Sequence, residues 1–298
     1  MGTRRVSANA PNGWQGKWHL SGHLGGSQQI SQPQRAYPAE LHLLFAKGKR
    51  PDRHAVRAFA GRLPALSVSH DPVAGDVRAA GALDDDPAHD EPVWPGQLHW
   101  IELLRDGLTF DLSGLAPGAA SAFPALAHRF DLPVLPSPEE YEAMVLRPGP
   151  HLAEGSGSPP VMRELIALGC DMVRQFADVQ AVGWSPAGTA IGRRFFESVT
   201  SAWLDGGPFP ALGLTAFAET PDGAIESAGL AFWIGQELRI EPPLSADRVA
   251  ATRLGIRLVN HLVLAGGLAE DDRIIAPDGS RLVLRPSRSR ALISVWRE

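Results

Sequence analysis

One cysteine, Cys170, stands in the 298 residues. A single thiol excludes an intrachain disulfide and a thiolate zinc cluster. Its setting, ELIALGCDMV, has the spacing of a helix's inner face and predicts a small buried hydrophobe rather than a nucleophile. Lysine is almost as scarce: Lys17, Lys47 and Lys49 are the only three among 28 basic residues. With 33 acidic residues and a net charge of −5, the chain is a poor general nucleic-acid binder. No apolar run reaches the roughly 18 residues of a membrane span. The best stretch, LVNHLVLAGGLA, is interrupted by Asn260 and His261. The N-terminal MGTRRVSANAPNGW carries basic residues without the apolar run of a secretory signal, and Ser7 sits one place late for myristoylation. The expectation is a cytoplasmic protein in a reducing compartment.

Motifs of strong specificity are missing too. There is no phosphate-cradling loop, no GxGxxG after a strand, no GxSxG and no HExxH, so no cofactor or metal is expected. GSGSPP over 155–160 resembles a Gly-rich loop, but its prolines remove amide donors and it reads as a linker. His19 and His23 have the spacing of a helical metal pair in a stretch, LSGHLGG, that makes a poor helix. His99, near Glu102 and Arg105, suits acid–base work, yet strand alternation puts 99 and 102 on opposite faces. His261 reads as a structural histidine of the last helix. Glu237 and Glu241, with Arg239 between them, read as an exposed strand's ion-pairing row, with acid–base chemistry as the alternative.

What is present is regular patterning. Residues 1–37 are rich in Gly, Ser, Gln and Pro and read as a mobile arm that Trp14 and Trp18 could anchor. From there ELHLLFAK predicts a strand, DRHAVRAFAGRL a helix opened by Pro51, and ALSVS a short strand. DDDPAHDE, over 84–91, reads as a solvated acidic loop that lacks a calcium loop's alternation. QLHWIELLRDGLTFDLSGL predicts a hairpin turning at Asp106-Gly107. Residues 114–140 read as a connector with one short helix. VMRELIALGCDMVRQFA is an amphipathic helix, and Ser185-Pro186 is placed to open another carrying Phe195, Phe196, Val199 and Trp203. ALGLTAFAE, IESAGLAFWI and ELRIE predict strands, with a turn at Pro221-Asp222-Gly223. Ser245 is the expected cap of a helix closed by Gly266-Gly267; RLVLRP and ALISVWRE are closing strands.

This order is α+β, with antiparallel sheets covered by helices, and the repeated strand–helix–strand–hairpin pattern is compatible with two ferredoxin-like split βαβ modules. The expected organisation is an arm over 1–37, an N-terminal α+β module over 38–135 and a C-terminal one over 136–298.

The C-terminal half also carries a likeness. AVGW (181–184), PALGLTAF (210–217) and SAGLAFWIGQELRIEP (227–242), followed by a helix with NHLVLAGG, resemble the bacterial domain-of-unknown-function family DUF 4261. Gly229, Leu230, Gly235, Glu237, Leu238 and Ile240 carry the match. The pattern departs at AEDDRII, where the family's Asp-Gly turn is displaced to Asp278-Gly279. The resemblance implies a related fold and a bacterial source; it transfers no catalytic residue.

Arg281, Arg285, Arg288, Arg290 and Arg297 form the densest basic cluster, with Trp296 beside them. Arginine next to an exposed aromatic suits docking of an acidic protein partner, the 84–91 run of the same chain included. The leading expectation is therefore a non-enzymatic bacterial protein acting through another protein, an accessory or immunity-type factor. The alternatives are a hydrolase or transferase whose site is assembled from distant residues, and a small-ligand sensor.

Overall fold

The computed structural model describes residues 39–72, 100–276 and 278–298. The arm over 1–37, the acidic run 84–91 and His19, His23 and His99 lie outside them. In chain order the described elements begin β1 (Leu41–Ala46), α1 (Arg53–Ala60), β2 (Leu66–His70), β3 (Trp100–Arg105), β4 (Leu108–Ser113), β5 (His128–Phe130) and β6 (Tyr141–Pro148). They continue with α2 (Pro159–Gln175), β7 (Val179–Trp184), β8 (Thr189–Gly192), α3 (Arg193–Leu204), β9 (Ala216–Glu219) and β10 (Ile225–Ala228). The remainder are α4 (Leu230–Ile234), β11 (Glu237–Ile240), α5 (Arg248–Ala265), β12 (Asp272–Ile275), β13 (Arg281–Pro286) and β14 (Leu292–Arg297).

The fold is α+β, built on two sheets dominated by antiparallel pairs. The larger has the order β2-β3-β4-β6-β1-β7-β8-β5 and the smaller β12-β13-β14-β11-β10-β9. In β1 the alternation is decisive: Leu41, Leu43 and Phe45 join the main core with Leu165 and Leu168 of α2, while Leu44 packs on the opposite face against Phe123, Leu126 and Leu132. So α2 and α3 cover one face of the large sheet and the 114–135 connector covers part of the other. The β3–β4 turn has Asp106 at φ 47° and Gly107 at φ 83°, the left-handed pair of a type I′ hairpin that Asp-Gly predicts.

Several expectations are corrected. β6 lies between β4 and β1, and β7 and β8 extend the same sheet, so the division between 135 and 136 runs through one sheet rather than between two modules. The small sheet is not a split βαβ unit: β9-β10-β11 and β12-β13-β14 are two three-stranded runs, linked by α5, that meet at the parallel pair β11–β14. Ser185–Ala187 is a single 3-10 turn, and the fully buried TAIG that follows is strand β8, so the next helix starts at Arg193. The connector forms strand β5 instead of a helix, paired in parallel with β8. IESAGLAFWI divides at Gly229, whose φ of 87° ends β10 and lets α4 begin. Asp247, not Ser245, caps α5, accepting from the amides of Val249 and Ala250 at 3.0 Å. Buried Ser245 instead donates to the Gly223 carbonyl.

Where the sheets meet, the contact is aromatic. Trp184, Trp203, Phe209, Phe232 and Trp233 pack edge to face or tilted, with centroids 4.9–6.3 Å apart. The Arg163 guanidinium sits 5.6 Å over the Trp203 ring. One contiguous core runs from Leu41 in β1 through Leu230 of α4 and Leu258 of α5 to Val295 in β14.

Candidate functional site

Strand alternation decides what the small sheet shows. In β13, Leu282 and Leu284 are fully buried, whereas Arg281 and Arg285 are exposed on the opposite face. In β14, Ile293 and Val295 are buried and Trp296 is 43% exposed. Register sets Trp296 across from Val283, the residue between those two arginines. Arg281, Arg285 and Trp296 are therefore brought together on one outward face. Arg288 and Arg290 are exposed in the turn at the other end of the hairpin, closed by the Arg290 amide on the Ser287 carbonyl. They stand roughly 15 Å from Trp296, at about 3.3 Å per strand residue. Arg285 meets Asp271 at 3.3 Å with both side chains 59% exposed, a pair worth little. Among the described residues Arg281, Arg288 and Arg290 form no ion pair. Along the strand, Arg273 of β12 pairs with Glu298 at 3.2 Å.

The other half of that sheet is acidic and internally satisfied. Arg239 binds Asp222, Glu226 and Glu241 together, and Glu241 also accepts from Ser294 at 3.0 Å. Glu237 departs from the exposed ion-pairing row. Its carboxylate accepts from the Ser227 hydroxyl and the amides of Gly229, Leu230 and Ala231, anchoring the start of α4. Burial pushes its pKa up despite those donors. With its oxygens so occupied, it is a structural anchor.

The remaining candidates fall into packing roles. Cys170 is fully buried beside Thr200 and Ser201. Glu102 accepts from Ser69 at 2.6 Å, while Arg105 binds Glu164 and Asp171 of α2 at 2.9 and 2.7 Å. His261 is half-buried. An open cleft of about 300 Å³, lined by Asp131, Gln180, Arg193 and Arg194, has its Arg193 guanidinium committed to the Val173 and Ala177 carbonyls. No group of three His, Cys, Asp or Glu side chains among the described residues is placed to hold a metal ion. No described helix is long and apolar enough to cross a membrane.

One arrangement joins residues far apart in the sequence. His42 of β1 sits 2.8 Å through Nε2 from the Ser185 hydroxyl, although 143 positions separate them. Glu40 Oε2 lies 3.6 Å from the same nitrogen. His42 is 4% exposed, its Nδ1 has no partner, and burial lowers its pKa to about 4. The only sequence signal was the period of two in ELHLLFAK, which puts Glu40 and His42 on one face.

The fold and these sites define an α+β protein with an arginine–tryptophan sheet face and a buried histidine bonded to a half-buried serine. No family model matches the chain, and no curated protein or solved structure matches it either.

Proposed function

We propose that the chain acts by binding an acidic segment of another protein on the β12–β14 half of the small sheet, as a bacterial accessory or immunity-type factor. The resemblance of the C-terminal half to DUF 4261 is part of the same proposal. The observation that carries it is Trp296, 43% exposed on a face where Arg281 and Arg285 flank its cross-strand neighbour. Trp and Arg are the side chains that dominate binding energy at protein interfaces, and exposed guanidiniums select carboxylates. Arg288 and Arg290 extend the positive field along the hairpin and would speed encounter with an acidic partner.

The test uses the full chain with a photo-crosslinking residue in place of Ser289, in lysate of its source. The expected product joins the turn to an Asp/Glu-rich segment of one protein. Trp296→Ala should then weaken binding to that purified protein by about thirtyfold, about 2 kcal/mol, at an unchanged melting temperature. Arg281→Glu with Arg285→Glu should lower the association rate and its salt dependence. A crosslinked segment without acidic residues, or binding indifferent to these changes, overturns the reading.

A further inference from the structure

We infer that Ser185 is a nucleophilic serine with His42 as its general base, an acyl-transfer site in the large sheet separate from the docking face. The inference corresponds to the hydrolase or transferase alternative and does not rest on the docking reading.

The ladder builds the site. Leu41 stands across from Trp184 and His42 across from Gly183, so Ser185, one residue past β7, follows opposite Glu40, whose carbonyl accepts its amide at 3.2 Å. Antiparallel alternation then turns Glu40, His42 and Ser185 to the same face, away from α2. Gly183 makes the space: a Cβ there would lie 3.2 Å from both the His42 Cβ and the Pro124 ring. The histidine is held between the strand and the connector, while Ser185 is only half-buried.

The chemistry follows from which nitrogen meets which group. With the ring proton on Nδ1, Nε2 is free to accept the Ser185 proton as Oγ forms a bond to an acyl carbon. The ester C–O bond breaks, the leaving alkoxide takes the proton from Nε2, and water hydrolyses the acyl-serine to a carboxylic acid. Glu40, on the Nε2 side, stabilises the transient imidazolium. It does not orient the ring through Nδ1, so the arrangement is a dyad rather than a triad. Because the Glu40 carboxylate flanks the serine, the substrate class is an ester with a neutral or cationic acyl group; anionic acyl groups are repelled.

Incubation of the full protein with a fluorophosphonate probe, followed by peptide mass spectrometry, tests the assignment. The expected result is one label, on Ser185, and a burst of nitrophenolate from p-nitrophenyl acetate that p-nitrophenyl succinate gives at least about tenfold more slowly. Ser185→Ala should abolish both signals. His42→Gln should slow labelling by about 100-fold, the usual scale of general-base catalysis. If His42→Gln fails to fold, Gly183→Ala, which presses on the His42 Cβ and so shifts the side chain without removing the ring, should slow labelling at least about tenfold. Absence of labelling in the wild type, labelling elsewhere, or a wild-type rate in the folded His42 or Gly183 variant overturns the proposal.

Discussion

His42 carries a charge balance that stability measurements can read. Burial, which disfavours the charged ring, lowers its pKa to about 4 in the folded chain from 6.5 for a free histidine. Between those values the unfolded chain binds the extra proton, so stability falls as pH drops from 6.5 towards 4. The full loss is about 3 kcal/mol, at 1.36 kcal/mol per pH unit of separation. Urea denaturation at pH 7 and pH 5 should show the wild type losing more stability than His42→Gln; equal losses would mean the ring is not held neutral by the fold. Asp247→Ala should cost about 1 kcal/mol by freeing the two amides it accepts from. Ser245→Ala, at the residue the sequence favours as a cap, should leave the start of α5 intact. At this scale the arginine–tryptophan face was legible, since alternation in RLVLRP and ALISVWRE separates Leu282, Leu284, Ile293 and Val295 from Arg281, Arg285 and Trp296. The His42–Ser185 pair was not, because a hydrogen bond across 143 positions leaves no local pattern.

Elements were legible where one period ran unbroken and illegible where a glycine or a buried run changed it. α1 follows from its amphipathic spacing, burying Val56, Phe59 and Ala60, and from Asp52, which accepts the Ala55 amide at 2.8 Å. TAIG was absorbed into a predicted helix because four buried residues show neither a period of two nor of 3.6. The sequence places Gly229 inside a strand, yet its backbone packs directly against Ala187, in the turn that follows β7. A Cβ on it would fall 2.5 Å from the Ala187 Cβ, and its φ of 87° suits glycine alone. Strain and overlap act together there, so Gly229→Ala should cost on the order of 3 kcal/mol. A parallel change at Gly223, also left-handed but with nothing within 4 Å of an added Cβ, should cost about 1 kcal/mol. Equal losses in thermal denaturation would show that backbone strain alone accounts for both and that the close approach to Ala187 is not constraining.

At the scale of the molecule, the sequence suggested halves and the topology joins them. β1, from the N-terminal half, is hydrogen-bonded on one side to β6 and on the other to β7, both from the C-terminal half. Removing residues before 136 would open a gap in the middle of the large sheet. With β2–β5 removed along with β1, it would leave β6 without either neighbour, expose one edge each of β7 and β8, and strip Leu41, Leu43 and Phe45 from the core beneath α2. A fragment of residues 136–298 should therefore fail to fold, which poorly dispersed amide resonances would report. The full chain should unfold in one transition, because the core is continuous across the junction where Trp184, Trp203 and Trp233 pack. The junction holds three of the eight tryptophans, whose share of the fluorescence reports on it, whereas far-UV circular dichroism follows both sheets. Coincident urea midpoints by the two signals would mean that the sheets stabilise each other as one cooperative unit. If fluorescence changed first and most of the ellipticity survived, the sheets would separate before either melted, and the small sheet with its arginine–tryptophan face would be an autonomous docking unit.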